Sequence, residues 1–367
     1  MQPEDPALRR LIDQIRTAHD DQSALDIRGG GTKAFYGGQP RGDVLDMTSL
    51  AGISSHEPTE LVVTVRAGTL LAELEAALRE HGQCLAFEPP RFGPHGTVGG
   101  MVAAGLAGPA RVAVGGLRDH VLGATLLNGR GELMSFGGQV MKNVAGYDIS
   151  RLLAGSMGVL GVICELSLKV LPLPMASLTL EFELDQAEAL AWFNTMRARP
   201  LPLTASSWHD GRLRLRLSGA QAAVASAERE LGGRQMEAME AIEAMDWWLA
   251  LRDQRMRFFH LDAADLARGE SLWRLSMPAT APKLATPGDC LLEWSGAQRW
   301  QRSSVSAAQV RAAAAAHGGH ATLFRSADKS AGVFTPLPAA LMRIHRELKV
   351  AFDPAGILNP GRLYADF

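Results

Sequence analysis

With 367 residues, 47% of them hydrophobic and 21% charged, the chain reads as globular and longer than a single core usually sustains, so two domains are expected. Its net charge of −2 argues against a nucleic-acid binder held by bulk positive charge, and it contains no apolar run of about 18 residues to span a bilayer. Cys84, Cys164 and Cys290 are too few for a disulfide framework or the four thiolates of an iron–sulfur cluster, and the start lacks the basic and apolar regions of a signal peptide; a cytoplasmic location is expected.

In chain order, the spacing predicts a helix over 7–20 and a strand over 24–27 that runs straight into Arg28-Gly29-Gly30-Gly31-Thr32. Strands follow at 44–47 and 61–65, then a helix over 69–81. Next, 17 of the 38 glycines fall within residues 92–161, a stretch opening on Pro94-His95-Gly96-Thr97-Val98-Gly99-Gly100. Glycine loses more entropy on ordering than other residues, so this density implies positive φ or backbone laid against a ligand, and Thr97-Val98-Gly99-Gly100 reads as a second loop. A strand at 120–129 ends in Asn128-Gly129 with a hairpin partner at 132–136; a short helix at 148–154 and a buried strand at 159–170 precede Leu171-Pro172-Leu173-Pro174. The expected domains are 1–175, 176–335 and a tail, 336–367, that returns to the first.

Residues 178–325 have another rhythm: strand 178–184, helix 186–198, strand 212–218, helix 220–231, helix 238–259, strands 272–277 and 290–295, an Ala-rich helix 304–317 and strand 320–325. Two such rounds suggest ferredoxin-like α+β layers, helices covering one face of an antiparallel sheet. Trp247-Trp248 with Arg252, Arg255 and Arg257 read as a helix face with a solvated edge. The tail carries one helix and then the turn-rich segment 352–361.

Successive N–H groups in Gly29-Gly30-Gly31 can converge on an anion, and Thr32 adds a hydroxyl. The spacing is neither Gly-x-Gly-x-x-Gly nor a P-loop, so nicotinamide and nucleotide-triphosphatase chemistry recede. The small residues Met101-Val102-Ala103-Ala104-Gly105 after the second loop let a flat ring or diphosphate approach the main chain. Together the two loops point to one large phosphorylated cofactor.

These segments, with Arg118-Asp119-His120-Val121-Leu122-Gly123 and Gly155-Ser156-Met157-Gly158-Val159-Leu160-Gly161-Val162-Ile163, resemble the FAD-binding domain of the vanillyl-alcohol oxidase and p-cresol methylhydroxylase (PCMH-type) flavoproteins. The run from Gly138 through Lys142, Asn143, Tyr147 and Asp148 to Leu152, and the segments 272–278 and 319–325, are similar to the FAD-binding E subunits of bacterial glycolate oxidases. The resemblance implies an α+β fold: a two-subdomain PCMH-type domain followed by a ferredoxin-like cap. It implies FAD held by Gly29, Gly30, Gly31, Thr32, Thr97, Val98, Gly99, Gly100 and Gly105, with Gly158, Gly161, Val162 and Ile163 beside ribose and adenine. Covalent members attach flavin through His or Cys, often in the first loop. Glycines stand there in this chain, so dissociable FAD is expected, with His95 the nearest histidine.

It further implies oxidation of glycolate or a similar small 2-hydroxy acid, with electrons passed to partners: a larger FAD-containing subunit and an iron–sulfur subunit, through which the chain would reach the inner membrane. Such oxidation needs a cation for the carboxylate and a base for the hydroxyl proton; Arg274, His320 and Arg325 on cap strands are the candidates. A non-catalytic FAD-holding scaffold or electron relay is the other reading, and a free-standing oxidase a third. No metal ligand set is visible.

Overall fold

A computed structural model describes residues 5–138, 147–231 and 236–367 and divides them into two units. The first takes the described residues of 5–107, Gly116–Leu173 and Pro336–Phe367; the second takes Gly108–Gly115 and the described residues of Pro174–Thr335. Residues 108–115, expected in the first domain, thus pack with the second. The Lys142 and Asn143 expectation lies outside the described residues.

The first unit opens with helix Pro6–Asp21, started by the Asp5 carboxylate, which accepts from Ala7 N–H and Leu8 N–H, and ended by Gln22 in the left-handed region. Its period of 3–4 puts Leu8, Leu11, Ile15 and Ala18 on one buried face. That face packs on the parallel strands Leu25–Arg28 and Asp43–Asp46 and on Val162, Cys164, Ile357 and Leu358. The tail returns to the first unit here, Leu358 bridging Leu25 in parallel. Beside this lies a five-stranded antiparallel sheet in the order Ile53–Glu57, Val62–Arg66, Val162–Lys169, Val121–Leu127, Leu133–Gly137.

One expectation is corrected. Residues 98–104 form a helix, Val98–Ala104, which takes in Val98, Gly99 and Gly100 of the expected second loop. Thr97 supplies the cap, its hydroxyl accepting Gly100 N–H at 3.3 Å, and the capped turn overrides the weak helix preference of two glycines. Gly99 is required by packing: a Cβ there would lie 2.7 Å from that of Ala67.

The second unit is one eight-stranded sheet, all its pairings antiparallel. Its first half, Met236–Ala238, Ala176–Glu183, Arg212–Gly219 and Leu203–His209, has the spatial order 4-1-3-2 of a ferredoxin-like βαββαβ motif, with helices Gln186–Met196 and Gln221–Leu231. The second half, His320–Arg325, Ser271–Ser276, Gln298–Ser303 and Cys290–Glu293, repeats that order with helix Ala307–Ala315. Residues 277–289 replace its other helix, burying Ala281 and Leu284, and the buried Arg299 guanidinium donates to the carbonyls of Ala281, Pro282 and Gly296. The two halves join edge to edge through Ser207↔Glu293 and Trp208↔Leu292.

The three helices bury apolar sides against one face of this sheet. The expected helix 238–259 divides into strand Met236–Ala238, helix Ala241–Arg252 and a turn at Arg257–Phe259. Helix Ala241–Arg252 lies on the opposite, polar face: Trp248 Nε1–H donates to Thr179 Oγ1 at 2.9 Å, and Arg214 and Arg216 stack over Trp247 and Trp248. No helix among the described residues is long and apolar enough to cross a membrane.

Candidate functional site: a glycine-lined cleft in the first unit

Strand Leu25–Arg28 delivers the first glycine run to the mouth of a cleft. Of the residues the sequence singled out, Gly29, Gly30, Gly31, Thr32, Thr97, Gly99, Gly100, Gly158, Gly161 and Ile163 line it. Val98 and Val162 do not; both are fully buried in the packing behind the wall. Gly105 is also absent from the lining. It closes helix Val98–Ala104 at φ 64°, and a Cβ there would lie 2.7 Å from Gly155 Cα, so its glycine serves helix packing.

The two glycine loops play different parts. Among the described residues, the N–H groups of Gly29, Gly30, Gly31 and Thr32 have no protein acceptor, leaving four consecutive donors at the cleft. In the second loop three of the donors are already used, Thr97 N–H being the exception among the described residues: Val98 N–H bonds Thr69 O, Gly99 N–H bonds Ala67 O, and Gly100 N–H bonds the Thr97 hydroxyl. The first run therefore offers the fuller set of free donors for an anion, and the second packs as a close-fitting wall. A Cβ on Gly29 would overlap the Thr97 side chain and one on Gly30 the His95 carbonyl, whereas at Gly31, φ 69°, a Cβ would meet nothing within 4 Å. Open space beside Gly31, with four orphan donors around it, fits a diphosphate.

Several lining residues went unassigned in the sequence reading. Arg28, ion-paired with Asp26, adjoins the glycine run, and Lys33 follows it with its ammonium 5.6 Å from the Phe92 ring centre. Arg362 reaches the cleft from the tail. Burial pulls its guanidinium below the usual arginine range, Asp26 opposing the shift and Arg28 adding to it. Cations next to a glycine run were legible; one arriving 330 residues later had no sequence signal. Opposite, Met157 N–H bonds Ala103 O at 2.8 Å and Gly155 N–H bonds Val102 O at 2.9 Å, stitching the 155–158 turn to the wall helix. His95 is exposed and is not in the lining. Tyr147 is exposed, and Asp148 caps helix Ile149–Leu152 by accepting Arg151 N–H at 3.2 Å.

The oxidation candidates belong to the second unit. Arg274 pairs with Thr322, and Ser276 with His320, which sets Arg274 and His320 diagonally on the same polar face. Partial loss of hydration, and then the Arg274 charge, lower the pKa of the His320 imidazole from its ordinary 6.5, although the side chain is exposed. Arg274 Nε donates to Gln298 Oε1 at 2.7 Å; Gln298 Nε2 and Trp300 Nε1 both donate to the buried Glu293 carboxylate, at 2.9 and 2.6 Å. Arg325 is apart from this network, donating to Gln254 Oε1, with burial lowering its pKa to about 10.

Comparison with known proteins places the chain. Residues 8–137 match the family described as FAD binding domain. The chain is 44% identical over 356 residues to glycolate oxidase subunit GlcE of Escherichia coli (strain K12), covering 97% of each protein. This chain belongs to the glycolate oxidase subunit GlcE family. Its cofactor is FAD, and the cradle described above fits it. Within part of its length it is also 31% identical to glycolate oxidase subunit GlcD of Bacillus subtilis (strain 168), over 48% of this chain and 38% of that protein. The D-lactate dehydrogenase of Anaerostipes hadrus is 32% identical over 43% of this chain and 32% of its own. Among solved structures, alkyldihydroxyacetonephosphate synthase superposes with a TM-score of 0.64 at 15% identity, covering 96% of this chain and 74% of that one. The likeness to that structure is one of fold. The fold is the α+β arrangement of PCMH-type FAD proteins.

Proposed function

We propose that this chain is the FAD-binding subunit of a glycolate oxidase complex, taking part in the oxidation of glycolate or a similar 2-hydroxy acid to the 2-oxo acid. The observation that carries the reading is the end-to-end similarity to glycolate oxidase subunit GlcE, joined to a cleft with four orphan N–H donors. Gly29, Gly30, Gly31 and Thr32 hold the pyrophosphate by their N–H groups, with Arg28 and Lys33 adding positive charge. Thr97, Gly99 and Gly100 form the wall beside it, and Gly158, Gly161 and Ile163 leave room for ribose and adenine. When bound, FAD supplies a two-electron acceptor. Arg274 holds the substrate carboxylate, and His320 takes the hydroxyl proton. Electrons leave to a larger FAD-containing subunit and an iron–sulfur subunit, through which the complex reaches the membrane.

A second reading, an FAD-holding scaffold or relay without its own oxidation, is favoured by Arg274 already being bonded to Gln298 and by Arg325 standing apart from it. Anaerobic mixing of the purified, FAD-loaded chain with glycolate separates the two. Loss of flavin absorbance near ~450 nm supports oxidation by this subunit; loss only after the larger subunit is added supports the scaffold. Peroxide formation by the chain alone in air points instead to a free-standing oxidase.

A further inference from the structure

The last residues of the chain do more than return to the first unit. Leu25 N–H donates to Ile357 O at 2.8 Å and Asn359 N–H to Leu25 O at 2.9 Å, so the tail runs as an added strand beside the one that feeds the glycine run. Asn359, 5% exposed, then spans two parts of the cleft: its Oδ1 accepts Ile27 N–H at 2.7 Å and its Nδ2 donates to Met157 O at 2.6 Å. It holds φ at 46°, a left-handed conformation that asparagine tolerates better than most residues. Glycine at 158 is what admits it, because a Cβ there would lie 2.6 Å from Asn359 Nδ2.

Three residues on, the Arg362 guanidinium, 6% exposed, donates to the carbonyls of Tyr36 at 2.6 Å, Ala34 at 3.2 Å and Gly38. Gly38 N–H returns a bond to Arg362 O at 2.8 Å. One planar fork thus fixes the turn that follows the orphan-donor run. A lysine carries the same charge, but its three donors radiate from one nitrogen and do not reproduce a planar fork spread over two.

We propose that the tail is a strap: Asn359 and Arg362 set the shape of the 27–38 loop, so that tail docking and FAD binding strengthen one another. The proposal rests on the reading that FAD occupies this cleft. A ligand that binds the docked form better must favour docking by the same factor. Arg362 is a positioning residue here; its guanidinium is spent on backbone carbonyls that shape the cradle.

The test measures the FAD dissociation constant of the apo chain by flavin fluorescence, together with thermal midpoints and amide hydrogen exchange. R362A and R362K both weaken FAD binding, roughly 5–150-fold, the usual span of a coupling between sites. On adding FAD to the wild type, exchange slows at Leu25 and Gly38, whose amides bond the tail but which do not line the cleft. Unchanged exchange at both, or R362K binding FAD as the wild type does, overturns the strap. G31F tests the underlying reading separately, since it puts bulk into space where no protein atom stands. If G31F binds FAD normally, the cofactor lies elsewhere; if G31F loses FAD while both Arg362 variants keep it, only the strap fails. Should R362A not fold, the wild-type exchange result still decides.

Discussion

The Lys349 ammonium stands 2.7 Å from the Asp353 carboxylate, one helical turn along Ala339–Phe352, and both groups are buried. Lys349 also donates to Val159 O and Leu358 O, while Asp353 accepts Ile357 N–H and Leu358 N–H. Desolvation lowers the lysine pKa and the partner carboxylate opposes it. Every charge is therefore paired where the tail leaves its helix.

Removing one member leaves the other buried and unpaired. K349M and D353L are each expected to cost about 3–5 kcal/mol of unfolding free energy, and the double variant K349M/D353L less than the sum of the two. Urea denaturation of the four proteins measures this, and a fully additive double variant would show that the pair is not coupled.

At the cradle, neighbouring glycines should respond differently to a single methyl. G30A drives a Cβ into the His95 carbonyl and is expected to abolish FAD binding and lower the melting temperature. G31A meets no protein atom, so in the apo chain it carries only the left-handed backbone cost of about 1–2 kcal/mol. Calorimetry of the two apo proteins compares them; equal losses of melting temperature would mean that the loop is not held against residue 95.

The His320 imidazole has its pKa lowered on folding, so the unfolded chain binds the proton more readily. Its contribution to stability is present above pH 6.5 and is lost as pH falls through the folded value. R274Q removes the second cause and should move the titration upward, nearer 6.5, as followed by NMR of the ring. A titration unmoved by R274Q would separate the two side chains.

With glycines where covalent relatives carry histidine, and His95 exposed and outside the lining, acid precipitation should release all the flavin into the supernatant. Yellow colour retained in the protein pellet would contradict dissociable binding.

The elements legible in the sequence were those whose side chains sort by polarity. Helix Pro6–Asp21 and strand Val162–Lys169 announce themselves by period, and Arg28 to Thr32 by composition. Strand Gln298–Ser303 does not: Gln298, Arg299, Gln301 and Ser303 are buried polar residues, made tolerable by Glu293, the carbonyls of Gly296 and Pro287, and residues 281–282. Hydropathy cannot find a core strand whose polar groups are satisfied one by one. Strands Ile53–Glu57 and Leu203–His209 were missed for a related reason, being rich in serine, threonine and histidine. At the site, the first glycine run was readable, but the division of labour between the loops was not, because it depends on which N–H groups the fold has already used.

Gly108–Gly115 gives the second unit two origins along the gene. The Trp294 indole N–H bonds Gly108 O at 2.9 Å, and Arg111 stacks 4.6 Å over the same ring. A fragment starting at Pro174 would be born with that indole N–H unanswered and the ring stacked by Arg274 without Arg111, so the cap is not a cassette that can be lifted out or swapped between relatives at one junction. Any such exchange has to carry eight residues from the middle of the flavin half with it.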